Sequence, residues 1–301
     1  MTPTPVTLER IADALDDLGY TWYDTPGDAL WLGFRELAFL IVTEGPHTYA
    51  VGELHGTALA DDHAALARFA EEVHTTNDWA KLAVHEDGRC HLTMALPTQA
   101  GATDAQLLQF FGVGLPELHD IALDIIDQFP AFTPRADGGI TRQHLPTKLN
   151  KPIEASEDIA LPTPELDAHT DRVHDAIIAA DLGKPERVRE DSWTVYVDNI
   201  DVDISDGDPD FFEASVLPLA NCLPAERYDD LLEWANEYNR DVVLGVAHPD
   251  RVDDGDVFMA FDLSVPTGAG ITDEQLADYI DAAVTVLVDA AQQYCADFGL
   301  A

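Results

Sequence analysis

A chain of 301 residues with 57 acidic side chains against 16 Lys and Arg carries a formal net charge of −41 at pH 7. Such a surface repels phosphate backbones and anionic lipid and lacks the counterion release that drives nucleic-acid binding, so neither nucleic acid nor membrane is an expected partner. No run of about 18 apolar residues occurs, the opening residues form no basic and apolar leader, and 3 widely spaced cysteines suggest neither a disulfide framework nor a zinc site; the expected setting is the cytoplasm.

In chain order, Leu8, Ile11, Ala12, Leu15 and Leu18 repeat at helical spacing and stop at Gly19, which predicts a first helix with one buried stripe. Short strands are expected at 29–34, 37–42 and about 48–54, then a helix at 61–74. A hairpin of 81–85 with 89–96 follows, turned by Asp87-Gly88. Leu92, Met94 and Leu96 alternate with His91, Thr93 and Ala95 up to Pro97, the period of a half-buried strand. Thr103-x-x-Gln106 then spells a capping box that opens the last helix of this half. Gly112, Gly114 and Pro116 are expected to split that helix into a short piece and a continuation at 116–129.

Residues 97–107 return at 266–276, both containing Gly-x-Thr-Asp-x-Gln-Leu, so the chain is a duplication. The second copy repeats the plan: a helix ending at Gly183, strands at 192–198, 199–205 and 211–217, and a helix at 225–238. A hairpin of 242–248 with 257–265 and an unbroken helix at 273–297 complete it. Each copy reads α-β-β-β-α-β-β-α, an α+β fold with an antiparallel sheet and helices packed on it. The expected organisation is a first domain at 1–130, a Pro-rich linker at 131–162 and a second domain at 163–301.

Three features of the second copy carry a family resemblance. They are the helix with Trp234-Ala235-Asn236-Glu237-Tyr238-Asn239, the apolar strand ending in Pro266, and the helix start at 270–276. With the order of elements, they resemble the YbjN family of bacterial sensory transduction regulators. The resemblance implies tandem YbjN-like domains with a type III secretion chaperone-like fold, and it implies no catalytic residues. The first copy departs by placing Phe69 where the second has Trp234, and by inserting Thr75-Thr76.

No nucleophile elbow, phosphate-binding glycine loop or His-Glu-x-x-His occurs, and no catalytic residue, metal ligand or cofactor is assigned. His85 and His248 stand at matching strand ends and read as solvent-facing rather than as a duplicated proton or ligand site. The stretch 201–208 has aspartates at alternate positions but misplaces the glycine of a calcium loop, so it reads as a strand with one wet, acidic face.

Aligned without a gap, Trp31 falls opposite Trp193, while Phe39 and Ile41 fall opposite Asp201 and Asp203. The first copy is thus apolar on both faces of a strand whose counterpart has one wet face. Phe39 and Ile41 then need a cover, either the other domain, a helix bearing Phe110 and Phe111, or a segment of a partner protein. Trp31, Phe39, Ile41, Phe110 and Phe111 are the candidate protein-binding residues. On the last helix the apolar stripe that includes Leu276, Ile280, Val284 and Leu287 is wider than one sheet needs, which predicts that the copies pair as an intrachain pseudo-dimer. The function expected is a non-enzymatic protein-binding module, chaperone-like or regulatory. The alternatives are a metal-dependent hydrolase using carboxylates gathered by the fold, and an acidic scaffold for basic proteins.

Overall fold

The computed structural model describes residues 2–25, 29–132, 170–189, 192–205, 210–252 and 255–300. They fall into two units, one drawn from Met1–Val73 and Trp79–Pro162, the other from His74–Asp78 and Thr163–Ala301. Beyond its first two residues, the expected linker at 131–162 lies outside the described residues.

In the first unit α1 (Leu8–Asp17) begins where the Thr7 side chain accepts from the Arg10 amide at 3.3 Å, satisfying one of the orphan donors of the first turn. It ends into Gly19, whose φ of 79° suits glycine. Its buried face is Ile11, Ala12, Ala14 and Leu15. There follow β1 (Tyr23–Thr25), β2 (Ala29–Gly33), β3 (Leu37–Glu44) and β4 (His47–Leu54), then α2 (His63–Thr76), β5 (Lys81–Val84), β6 (Cys90–Pro97) and α3 (Asp104–Gln128). The strands form one antiparallel sheet in the order β1-β2-β3-β4-β6-β5.

The second unit repeats this with α4 (Thr170–Ala179), β7 (Glu186–Arg189), β8 (Ser192–Val197), β9 (Ile200–Ser205), β10 (Phe211–Val216), α5 (Tyr228–Asp241), β11 (Val246–Arg251), β12 (Val257–Pro266) and α6 (Asp273–Phe298). Its order, β7-β8-β9-β10-β12-β11, is the same. Each sheet thus has six strands. The additional ones are the short edge strands β1 and β7, too brief for alternation to reveal them. Both capping boxes form: the Thr103 and Thr272 hydroxyls each accept an amide at 3.2 Å, while Gln106 and Gln275 reach back to the cap amides.

The expected break in α3 does not occur, and the helix runs through Pro116 for 25 residues. The carbonyl that a proline ring would crowd belongs to Gly112, four residues back. Gly114 serves packing: a Cβ there would overlap Met94 Sδ on β6 and stand 3.0 Å from Trp79 Cε3. Gly114 lets the helix lie close on the sheet.

Helices cover one face of each sheet. In the first unit that face holds Leu30, Leu32, Phe39, Ile41, Ala50, Leu92 and Met94, none more than 2% exposed. In the second it holds Val195, Val202, Ile204, Phe212, Ala214, Phe261 and Leu263, with Phe212 facing Tyr279 and Phe261 facing Tyr294, both on α6. At about 1.5–3 kcal/mol for each large side chain buried, this face is the main favourable term in each unit.

The pairing register corrects the gapless alignment of the copies. Ile41 pairs with Ala50, which pairs with Met94; Ile204 pairs with Ala214, which pairs with Leu263. Met94 and Leu263 are equivalent in the repeat, so Ile41 corresponds to Ile204 rather than Asp203. By the same ladder Leu30, not Trp31, corresponds to Trp193. The alignment slips by one residue, and a slip of one exchanges the two faces of a strand.

Candidate protein-binding surface

The candidates Phe39, Ile41, Phe110 and Phe111 lie in the core of the first unit, each 0–1% exposed. Phe34 sits between Phe39 and His119 of α3, its ring centroid 5.5 Å from each, so the helix side of the sheet is where Phe39 belongs. Trp31 differs. It is half-buried on the other face, where Tyr23, Trp31, Leu40, Val51, Thr93 and the buried Lys81 form a row of directly paired residues across all six strands. Beside it runs the row Val42, Tyr49 and Ala95.

The second unit places different chemistry at the same lattice points. Thr194, Asp203, Ser215 and Asp262 pair in the row that matches Trp31, Leu40, Val51 and Thr93. Ser205, Glu213 and Ser264 match Val42, Tyr49 and Ala95. Asp203 is exposed and accepts from the Thr194 hydroxyl. The expectation that one copy is apolar on both faces of this strand therefore holds, with the faces exchanged: Phe39 and Ile41 are core, and Leu40 and Val42 are the surplus. All of these apolar residues are half-buried. Charge surrounds them, with Glu53 on β4 and Glu44 at the end of β3, the latter accepting from the Tyr49 hydroxyl at 3.1 Å.

Leu276, Ile280, Val284 and Leu287 are buried on α6, which packs on α4, β9, β10 and β12 of its own unit. The Trp/Asn helix has structural work. Trp234 stacks on Tyr238 at 5.3 Å and meets Phe261 and Tyr294 edge-on.

Three histidine arrangements escaped the sequence reading because their partners are distant in the chain or lie across a strand. His85 Nε2 and His91 Nδ1 share a hydrogen bond of 2.9 Å. Burial, and then the charge of His85, push His91 below the ordinary imidazole value. His248 Nε2 donates to Asp262 Oδ2 at 2.7 Å; burial opposes its charge, but the bond to and charge of Asp262 prevail and hold it above the ordinary value. His119 Nε2 donates to Glu36 Oε2 at 3.0 Å deep in the first unit. His85 and His248 are not equivalent strand ends: His248 pairs with Ala260, the counterpart of His91, and so matches Ala83. Burial also pulls the Lys81 amine, on β5, down to about 7.

Among the described residues no three His, Cys, Asp or Glu side chains gather as a metal cluster, and no helix is long and apolar enough to cross a membrane. Asp201 and Asp203 are exposed on β9 while Val202 and Ile204 are fully buried, the alternation expected of a strand with one wet face.

Residues 210–294 match the YbjN family model, described as "Putative bacterial sensory transduction regulator". That match contains the three features that carried the resemblance. The YbjN-like segment spans β10, α5, β11, β12 and most of α6. No curated protein matches the chain. Among solved structures, it is similar to YbjN of E. coli at 16% identity, covering 42% of this chain and 96% of that one with a TM-score of 0.37. It is also similar to a chain of the HopA1-SchA chaperone-effector complex at 12% identity, covering 40% and 99% with a TM-score of 0.30.

Proposed function

We propose that the chain is a non-enzymatic protein-binding module, chaperone-like or regulatory, built from two YbjN-like domains at 1–130 and 163–301. The observation that carries this reading is the contrast between equivalent sheet faces. Trp31, Leu40, Val42 and Val51 stand where the second unit has Thr194, Asp203, Ser205 and Ser215. Both faces belong to one strand order and register, so folding the sheet does not require the apolar set. A partner segment that buries it gains roughly 25 cal/mol for each Å² of apolar surface removed from water. The acidic surroundings favour a segment with basic flanks.

The test is retention of a polypeptide from the protein's own cell extract by the immobilised chain at low and high salt. A defined polypeptide that survives high salt, is lost on Leu40→Asp and is kept on Asp203→Asn supports the reading. Basic proteins that wash off as salt rises would instead make the chain an electrostatic scaffold. A tightly held divalent ion with hydrolytic turnover would favour the metal-dependent hydrolase.

A further inference from the structure

The hairpin of β5 and β6 carries two imidazoles that the protein-binding reading does not use. Ala83 pairs with His91 and Val84 with Cys90, after which the chain turns over 85–89, His85 N donating to Arg89 O at 2.8 Å. Gly88 makes that turn possible at a φ of 80°, and its amide donates to His85 O at 2.8 Å. Because side chains alternate along a strand, His85 shares a face with Ala83, and so with His91 across the ladder. The result is two ring nitrogens from neighbouring strands, Nε2 of His85 and Nδ1 of His91, 2.9 Å apart with the rings at 71°.

That separation is informative. Imidazole nitrogens bind a divalent transition ion at about 2.0–2.1 Å, so two at right angles stand about 2.9 Å apart and two at the tetrahedral angle about 3.3 Å. Here one nitrogen carries the proton of the shared hydrogen bond; once that ring moves its proton to its other nitrogen, the separation suits adjacent corners of a tetragonal site, the geometry of Cu2+ and Ni2+ with nitrogen donors. Behind His91, directly across on β4, stands Glu53, its carboxylate 3.8 Å from Nε2, the nitrogen facing away from His85. A carboxylate behind a ligating imidazole orients the ring and strengthens the donor. Arg89 beside the pair is engaged by Asp87 at 2.8 Å and stands 3.9 Å from Glu53.

We propose that His85 Nε2 and His91 Nδ1 form a two-histidine site for a tetragonal divalent ion, Cu2+ or Ni2+. Water or a small chelating ligand fills the other positions, so the ion is held at the surface and exchanges. His248 is a built-in contrast, since its Nε2 bonds to the Asp262 carboxylate rather than to a second imidazole.

The experiment titrates the chelator-stripped full chain with Cu2+, up to one equivalent, at moderate salt. Electron spin-echo spectroscopy then counts the coordinated imidazoles. One ion per chain with two imidazole nitrogens is expected, falling to one nitrogen and at least about tenfold weaker binding in His85→Gln or His91→Gln. Glu53→Gln should weaken binding with both nitrogens retained, which a merely structural role for the hairpin would not produce. Circular dichroism confirms that the variants are folded. Unchanged copper binding in His91→Gln, a spectrum with oxygen ligands alone, or loss confined to a His248→Gln control would overturn the proposal.

Discussion

The side-chain amide of Asn239 closes a ring with the backbone of Ala247. The Ala247 amide donates to Oδ1 at 2.8 Å, and Nδ2 donates to the Ala247 carbonyl at 2.7 Å. Asn239 is 2% exposed near the end of α5, and Ala247, 0% exposed, sits on the edge strand β11, so a helix supplies the hydrogen bonds that a further strand would. Asn239→Ala leaves both backbone groups buried and unpaired, and we expect a loss of about 2–4 kcal/mol in urea unfolding. Asn239→Asp keeps the acceptor but sets a buried carboxylate against the Ala247 carbonyl, so it should lose at least as much at neutral pH.

The one-residue register is tested by two neighbours on β3. Phe39→Asp puts a charge into a fully buried position, where a loss above about 4 kcal/mol is expected, enough to abolish the cooperative unfolding transition. Leu40→Asp, on the half-buried face, should leave that transition in place. If the two substitutions were equally tolerated, the face assignment would be wrong.

Gly114 is present for the approach of α3 to β6. Gly114→Ala should destabilise the protein by about 1–3 kcal/mol because the new methyl meets Met94 and Trp79, even though alanine is the better helix former. Met94→Ala is costly alone, but in the double variant the two losses should add to less than their sum, because the smaller side chain makes room for the new methyl. A Gly114→Ala variant more stable than wild type would show that the helix readily moves off the sheet.

The His248–Asp262 pair makes stability depend on pH. Because the folded imidazole is held above its unfolded value of about 6.5, its contribution is fully present below that value. As pH rises through the folded value the contribution is lost. In Asp262→Asn the burial remains and the acceptor charge is gone, so the His248 midpoint, followed by NMR of the ring protons, should fall from its wild-type value. A midpoint unmoved by the substitution would mean that Asp262 does not set it.

The duplication, the α+β plan, both capping boxes and the apolar excess on β3 were readable from the residues, because each is local: Thr103 and Gln106 need only a helix start, and alternation needs only a strand. Tertiary structure decided which face of β3 enters the core, since Phe39, Leu40, Ile41 and Val42 are all apolar and only the ladder through Ala50 to Met94 separates inside from outside. It also decided that α3 stays whole, because the use of Gly114 lies in Met94, a residue on another element. His85 met His91, and His248 met Asp262, by strand pairing alone. A period of two in the sequence identifies a strand; its register is set by hydrogen bonds to strands elsewhere in the chain, and those choose the face each side chain presents.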